Sequence, residues 1–217
     1  EVEGISRITP AQVFSPGTPW DGFAPDEEGG VAIELFTSGT TGDPKSAILR
    51  HDNLMAYILG TIEFMSAEET QSTLVSVPPY HIAGISAILS SIYAGRRMVQ
   101  LPNFSPEAWL KLAIQENVSQ AFLVPTMLQR IIEHVTTKNE TLHLPAMQAI
   151  AYGGGKMPHA VIEQAMSLMP HVNFTNAYGL TETSSTICLL DPDDHREAFE
   201  SEDSAVRARL SSVGKPL

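Results

Sequence analysis

Cysteine is almost absent from this chain of 217 residues, since Cys188 is the only one. An internal disulfide and a zinc site built from several cysteines are therefore excluded. Long hydrophobic runs are also lacking, because none reaches the roughly 20 apolar residues that cross a bilayer. The first residues carry neither the basic start nor the apolar run of a signal peptide. These absences predict a protein of the reducing cytoplasm, without a transmembrane segment.

Basic residues are scarce as well. The chain has 13 Lys and Arg against 25 Asp and Glu, which gives a formal net charge of −12. A nucleic acid or an anionic membrane surface would repel such a protein, so neither is expected as a partner. A polyphosphate ligand would need local compensation from Mg²⁺, a lysine and backbone N–H groups. The 43% of hydrophobic residues is ordinary for a globular core.

One polar segment has the composition of a phosphate-binding loop. Its glycines can turn backbone N–H groups inward, its hydroxyls can donate hydrogen bonds and its lysine brings a mobile ammonium. Only two residues separate its glycines and a proline precedes its lysine, so it is not the common NTPase loop. A surface loop of ordinary composition is the alternative. The residues concerned are Thr37, Ser38, Gly39, Thr40, Thr41, Gly42 and Lys45.

Strand and helix patterns alternate along most of the chain, which predicts an α/β fold around a mainly parallel sheet. The predicted strands are 31–36, 73–77, 96–101, 120–125, 148–152 and 186–190, with another that ends near Tyr178. The predicted helices lie within 51–65, 82–93, 105–116, 126–136 and 157–169, and the first is expected to follow the phosphate-binding loop directly. We divide the chain into an irregular segment 1–30, an α/β unit 31–190 and a charged tail 191–217, of which 191–209 is expected to be solvated or mobile.

Three further motifs follow predicted strands. His81 ends a Pro-Pro-Tyr-His turn, where capping of the next helix is the ordinary alternative to a role in binding. The glycines of 153–155 would let a flat ligand lie against the backbone, although a tight turn would need them too. Residues 178–182, Tyr-Gly-Leu-Thr-Glu, gain weight only from lying downstream of the phosphate-binding loop and of the glycines at 153–155.

The order of these motifs resembles that of the adenylate-forming superfamily, which includes acyl-CoA synthetases, firefly luciferase and peptide-synthetase adenylation domains. Its pattern Ser-Gly-Thr-Thr-Gly-x-Pro-Lys-Gly is matched from Ser38 to Lys45, with Ser46 in place of the last glycine. Its second pattern, Tyr-Gly-x-Thr-Glu, is matched at 178–182. The resemblance covers about 31–217 and implies the central part of the family's large N-terminal domain.

The resemblance also implies roles for particular residues. The loop from Thr37 to Lys45 would bind the phosphates of ATP, and His81 would lie beside the acyl carboxylate. The remaining roles concern adenine, the α-phosphate and the metal: Gly153, Gly154 and Gly155 border adenine and the acyl pocket, Tyr178 stacks on adenine with Asn176 at its polar edge, Gly179 belongs to the same segment, Thr181 donates to the α-phosphate and Glu182 binds Mg²⁺. Lys45, His81, Thr181 and Glu182 would act in catalysis.

The implied reaction joins a carboxylic acid to a thiol. ATP would activate a carboxylic acid, expected to be a fatty acid, as an acyl adenylate, and coenzyme A or a carrier-protein thiol would accept the acyl group. The segment after Tyr80 lacks the aspartate with which amino-acid-activating relatives hold an ammonium. Neither Gly-x-Ser-x-Gly nor His-Glu-x-x-His, the motifs of two hydrolase classes, occurs in the chain.

Parts of the family's catalytic machinery have no counterpart here. The resemblance supplies no N-terminal portion, no ribose-binding aspartate and no adenylation lysine of a C-terminal domain. We therefore expect a segment of an acyl-CoA synthetase that adenylates poorly by itself. A non-catalytic nucleotide-binding or assembly module, or a folding unit without function, is the alternative.

Overall fold

The structure is a computed structural model that describes residues 29–37, 45–138 and 142–217. Residues 38–44, which form most of the predicted phosphate-binding loop, lie outside these ranges. The chain divides between Gly30 and Val31 into two compact units. The second unit, Val31–Leu217, contains the predicted motifs and the elements that position them.

Strands and helices alternate through this unit. The strands are β1 (Val31–Thr37), β2 (Lys45–Arg50), β3 (Ser72–Val75), β4 (Arg97–Gln100), β5 (Gln120–Leu123), β6 (Ala149–Gly153), β7 (Asn173–Leu180), β8 (Ser185–Leu190) and β9 (Lys215–Pro216). The helices are α1 (His51–Thr61), α2 (Ile82–Ala94), α3 (Pro106–Gln115), α4 (Pro125–Lys138), α5 (His159–Leu168), α6 (Pro192–Glu200) and α7 (Ser204–Arg207). Short 3₁₀ turns occupy Thr181–Thr183 and Ala208–Ser211.

A seven-stranded sheet in the order β4-β3-β5-β6-β7-β8-β9 forms the centre of the unit. The pairs from β4 to β7 are parallel, and β8 and β9 join them in antiparallel pairing. The predicted α/β class with a mainly parallel sheet is confirmed. The strand order reverses direction at β3, because β4 lies on one side of it and β5 on the other. Ligands of α/β proteins bind where the strand order reverses, beyond the carboxyl ends of the strands.

Two apolar clusters cover opposite faces of the sheet. Helix α2 connects β3 to β4, and α3 connects β4 back to β5 on the other side of β3. Because both crossovers are right-handed, the two helices lie on opposite faces of the sheet. The larger cluster joins the strands to α3, α4, α5 and α6, and Trp109, Tyr152 and Phe174 are its largest buried side chains. The smaller cluster joins β1, β2, α1 and α2 through residues such as Leu49 and Ile85. The sheet face below α2 is therefore covered by a separate, thinner layer.

The prediction that a helix follows the phosphate-binding loop directly was wrong. Strand β2 intervenes and pairs with β1 in a separate antiparallel sheet, so residues 38–44 connect the two strands of a hairpin. In β2, Ala47 and Leu49 are buried while Lys45, Ser46, Ile48 and Arg50 are exposed. This period of two is the pattern of a strand with one buried face.

The expectation of a solvated or mobile segment at 191–209 was also wrong. Helix α6 buries His195 and Ala198, and its N-terminus is capped by Asp191, whose Oδ1 accepts a hydrogen bond from the Asp194 N–H at 2.8 Å. Ion pairs such as Arg196–Asp193 and Arg209–Glu197 lie on its outer side. The charge of this segment therefore belongs to the solvent face of a packed helix, while the domain boundary at 191 stays a prediction.

Candidate functional site

A cavity of about 1070 Å³ lies between α2 and the sheet face that α2 covers, and it opens at the carboxyl ends of β6 and β7. Its described lining brings together ten of the residues predicted from the sequence: Thr37, His81, Gly153, Gly154, Gly155, Asn176, Tyr178, Gly179, Thr181 and Glu182. These residues come from separate stretches of the chain. The cavity is therefore the place where the predicted motifs meet.

The glycine turn, Gly153–Gly155, is a bare stretch of backbone at the end of β6. Gly153 pairs with Ala177 of β7, and a Cβ built on it would lie 2.2 Å from the Ala177 carbonyl oxygen. Gly154 has a φ of +77°, a conformation that side chains disfavour. The close approach of β7 explains why Gly153 has no side chain, and the backbone conformation explains why Gly154 has none. Together they leave a flat surface open to the cavity.

His81 combines a structural role with a place in the cavity wall. Its Nδ1 accepts a hydrogen bond from the Ala83 N–H at 3.2 Å and so caps α2. A ring nitrogen that accepts is unprotonated, so the neutral imidazole carries its hydrogen on Nε2. A Cβ built on Gly154 would lie 3.9 Å from His81 Cε1, which places the ring beside the glycine turn. The ring can thus donate to an oxygen bound at this turn.

The turn after β7 holds Thr181 and Glu182 at the mouth of the cavity. Both lie in a 3₁₀ turn that Thr183 braces, because its hydroxyl bonds with the backbone of Leu180 and with the Ser185 carbonyl. A register shift in the β7–β8 pairing accompanies this turn. Ser184 and Ser185 have positive φ angles of 57° and 117°, which non-glycine residues rarely adopt. Such backbone strain is concentrated at functional turns.

The described ends of the predicted phosphate-binding loop lie near this turn. Thr37 lines the cavity, and strand β2 packs beside the turn Thr181–Thr183. Lys45 is exposed at the start of β2 and is not among the described lining residues. Ser38, Gly39, Thr40, Thr41 and Gly42 lie outside the described residues, so their predicted phosphate contacts stay predictions.

Asn176 and Tyr178 project from the last part of β7. The Asn176 Nδ2 donates a hydrogen bond to the Ser212 carbonyl at 2.8 Å, which ties β7 to the chain that leads into β9. Tyr178 is 41% exposed and lines the cavity. The Tyr178 ring and the bare glycine backbone both line the cavity, so each offers a surface to a planar group bound there. Stacking on adenine remains a prediction for this tyrosine.

The metal prediction rests on a single carboxylate. In the described ranges no three His, Cys, Asp or Glu residues cluster as a metal site. Glu182 is exposed and follows Thr181 in the 3₁₀ turn. Mg²⁺ commonly binds one or two carboxylates and completes its shell with substrate phosphates and water. The residues present fit a magnesium ion that arrives with a nucleotide, and they do not fit an all-protein cage.

Sequence reasoning missed a buried pair behind the glycine turn. Tyr152 and His195 are fully buried, and the Tyr152 hydroxyl lies 2.8 Å from His195 Nε2. The His195 Nδ1–H donates to the Asp191 carbonyl at 2.7 Å, so Nε2 must accept from Tyr152. Burial raises the pKa of Tyr152. Burial also lowers the pKa of His195, although the hydrogen bond to the Asp191 backbone and the nearby carboxylates of Asp191 and Asp194 act to raise it. With His195 neutral, the hydroxyl of Tyr152 donates to the imidazole and so joins β6 to α6.

This pair predicts a pH-dependent stability. The pKa of His195 is lowered from its ordinary value of 6.5 in the folded chain. Just below about pH 6.5, His195 is therefore protonated in the unfolded chain but still neutral in the folded chain. The free energy of unfolding is then complete above that pH and falls as the pH decreases, by at most about 1.4 kcal/mol per unit. Urea titrations between pH 5 and 8 should show a smaller slope in His195→Gln. In the exposed control His143→Gln the slope should stay unchanged, and equal slopes in all three proteins would contradict the assignment.

Comparison with known proteins identifies similar sequences. The family model described as "AMP-binding enzyme" matches residues 11–217. A 2-succinylbenzoate–CoA ligase from a strain of Bacillus cereus is 28% identical over 231 aligned positions, which cover 100% of this chain and 45% of that protein. The chain therefore spans less than half the length of this curated relative.

Solved structures of similar fold carry related names. The o-succinylbenzoate coenzyme A synthetase (MenE) from Bacillus subtilis in complex with ATP and magnesium ion matches with a TM-score of 0.68 and 28% identity, over 85% of this chain and 35% of that one. A double mutant of the same enzyme bound with its product analogue OSB-NCoA matches with a TM-score of 0.70 and 27% identity, over 86% and 35%.

In the described part of the present chain, no helix has the length and apolar character needed to cross a bilayer.

Proposed function

Since the chain belongs to the AMP-binding enzyme family, we propose that it forms the nucleotide- and acid-binding part of a ligase that joins a carboxylic acid to coenzyme A through an acyl adenylate. The single observation that carries the proposal is the cavity, where Thr37, His81, Thr181, Glu182 and the glycine turn meet. The groups that we propose to bind phosphate thus share one opening with the group that we propose to bind the acid. The similar proteins named above are ligases of this type.

The first chemical step joins the acid to AMP. A carboxylate oxygen attacks the α-phosphorus of ATP, a new P–O bond forms, and the bond to the β-phosphate oxygen breaks with release of pyrophosphate. His81 orients the carboxylate through its Nε2–H, and the Thr181 hydroxyl donates to the α-phosphate. Glu182 would hold Mg²⁺, which would supply positive charge to the phosphates. This chemistry depends on position and charge rather than on a protein nucleophile.

The second step transfers the acyl group to sulfur. The thiol of coenzyme A attacks the acyl carbon, a C–S bond forms, AMP departs with the electrons of the C–O bond and the thiol proton passes to solvent. AMP is a much better leaving group than the oxyanion of a free carboxylate, which is why adenylation precedes transfer. A cytoplasmic location and a carrier-protein thiol as the alternative acceptor remain predictions.

The acid is proposed to be of the 2-succinylbenzoate type. The curated relative reported above is named for that acid, and not for the fatty acid expected from the sequence. 2-Succinylbenzoate differs from a simple fatty acid because it carries a carboxylate at each end. A group that recognises the second carboxylate would therefore distinguish the two classes of acid.

Binding of an acyl-adenylate mimic tests the proposal without requiring turnover. We expect the chain to bind AMP, and to bind a hydrolysis-resistant 2-succinylbenzoyl-sulfamoyl adenosine at least about 100-fold more tightly, because the acid then occupies the adjoining cavity. Isothermal titration calorimetry measures both affinities, and acetyl-sulfamoyl adenosine is the matched control. Equal affinities would instead favour a non-catalytic nucleotide-binding module. Absence of binding by AMP and both mimics would contradict the proposal and favour a folding unit without function.

A further inference from the structure

Arg96 is a cation in the cavity wall for which the described part of the protein provides no partner. It lines the cavity directly after the left-handed cap of α2 at Gly95. Its Nε is buried without a hydrogen-bond partner, and its side chain makes no hydrogen bond or ion pair within the described ranges. The next residue behaves differently, because Arg97 Nη1 pairs with Glu116 Oε2 at 2.8 Å on the outside. Two adjacent arginines therefore face different surroundings.

Helix α2 fixes the distance between Arg96 and the catalytic end of the cavity. His81 caps its N-terminus, and Arg96 follows its C-terminus. The 13 residues of the helix rise about 1.5 Å each, so the two ends lie about 20 Å apart. The side of α2 that lines the cavity carries mainly small residues: Ala83, Ser86, Ala87 and Ser90. A channel thus follows the helix from the histidine to the arginine.

The sheet forms the opposite wall of this channel. On β3, β5, β6 and the first part of β7 most of the lining side chains are short, and Phe122 is the largest: Thr73, Gln120, Phe122, Ala149, Ala151, Thr175 and Ala177. The register aligns Thr73, Gln120 and Ala149 across three neighbouring strands near their amino ends. Arg96 lies two residues before Met98, which pairs with Thr73. The arginine therefore belongs to the end of the channel remote from the glycine turn.

Electrostatics make this end receptive to an anion. Burial lowers the pKa of Arg96, which reflects the cost of removing a charge from water without a partner. The chain has about twice as many acidic as basic residues, yet none of its described carboxylates pairs with this arginine. Glu182 is the single acidic residue in the described lining, and it lies at the mouth beside Thr181. An anionic group on a bound ligand would supply the missing partner.

We propose that the acid activated by this protein carries a second carboxylate at its far end, and that Arg96 binds this carboxylate. The guanidinium can hold a carboxylate through two parallel hydrogen bonds. Arg96 is then a specificity-determining residue, which favours acids with two carboxylates over fatty acids of the same length. This inference rests on the proposed function, because it assumes that the first carboxylate lies near His81.

Paired acyl-sulfamoyl adenosines test the assignment. The members of a pair have equal chain length and end either in a carboxylate or in a methyl group, and pairs of increasing length are compared by calorimetry. We expect the carboxylate member to bind about 30-fold more tightly at the best length, the range of a charged hydrogen bond. Arg96→Met should abolish this preference while the affinity for the methyl member and for AMP stays unchanged. Arg96→Lys should keep part of it.

Arg97→Met is the matched control, since it removes the neighbouring arginine and its outer ion pair. It should leave the preference intact. An unchanged preference in Arg96→Met, or an equal loss in Arg97→Met, would overturn the inference although AMP still binds. Unchanged AMP affinity and melting temperature show that a variant is folded. If Arg96→Met does not fold, Arg96→Lys tests the carboxylate preference instead. If neither AMP nor any mimic binds the wild-type chain, the proposed function fails instead.

Discussion

Gly153→Ala is expected to destabilise the protein by about 3 kcal/mol and to weaken AMP binding at least about tenfold. The new Cβ would lie 2.2 Å from the Ala177 carbonyl oxygen, a backbone atom that cannot rotate away. Relief requires β6 and β7 to separate at the position where Gly153 pairs with Ala177. Since both strand ends line the cavity, stability and nucleotide binding should fall together. Urea titration and calorimetry with AMP measure the two effects.

Gly155→Ala provides a control within the same turn. A Cβ on Gly155 would meet Pro125 at 3.8 Å, an ordinary contact. This variant should remain within about 0.5 kcal/mol of the wild type. Gly154→Ala should fall between the two, because its space is adequate but its φ of +77° disfavours a side chain. If all three variants were equally stable, the close approach of β6 to β7 would be disproved.

Glu182→Gln is expected to weaken the binding of magnesium-bound ATP about 100-fold, if Glu182 contributes a negative oxygen ligand to the metal. Glutamine keeps the size of the side chain and removes its charge. Without magnesium the substitution should no longer weaken ATP binding, because the carboxylate of Glu182 then repels the phosphates. Metal-free ATP should bind the variant as well as, or better than, the wild type. Calorimetry with and without Mg²⁺ measures this coupling.

Glu69→Gln serves as the control for charge alone. Glu69 is exposed and lies outside the described lining of the cavity. Glu69→Gln should change the affinity for ATP by no more than about twofold, with or without Mg²⁺, since distant surface charges are screened by salt. If Glu182→Gln lowered the affinity for ATP equally with and without metal, Glu182 would be excluded as a magnesium ligand.

The parallel strands and their helices could be predicted because local pattern and final burial agree. Helix α3 illustrates this agreement, since it lies within the predicted range 105–116 and Ser105 caps it by accepting a hydrogen bond from the Ala108 N–H at 3.1 Å. Helix α6 shows the limit, because a segment that is mostly charged still buries Ala198 and His195. Strand β2 was missed since only two of its six residues are buried. Patterns with few buried positions carry too little information without their packing partners.

Parts of the candidate site depended on long-range pairing. The motifs at His81, at the glycine turn and at Thr181 were recognisable from residue types and order, and the structure brings them to one cavity. The Tyr152–His195 bond joins residues 43 positions apart and leaves no local signature. Arg96 looked like the start of a strand, since only the fold reveals that Arg97 has an acidic partner and that Arg96 has none among the described residues. Contacts between distant segments, rather than residue types, define these features.

Helix α2 has a histidine at one terminus and an arginine after the other, and its 13 residues form one continuous rod between them. Any tilt or slide of the rod would displace both groups together and keep their separation constant. The length of acid that the protein accepts is then measured by the number of helical turns, rather than by the bulk of individual side chains. An insertion of one turn in α2 would lengthen this ruler by about 5.4 Å.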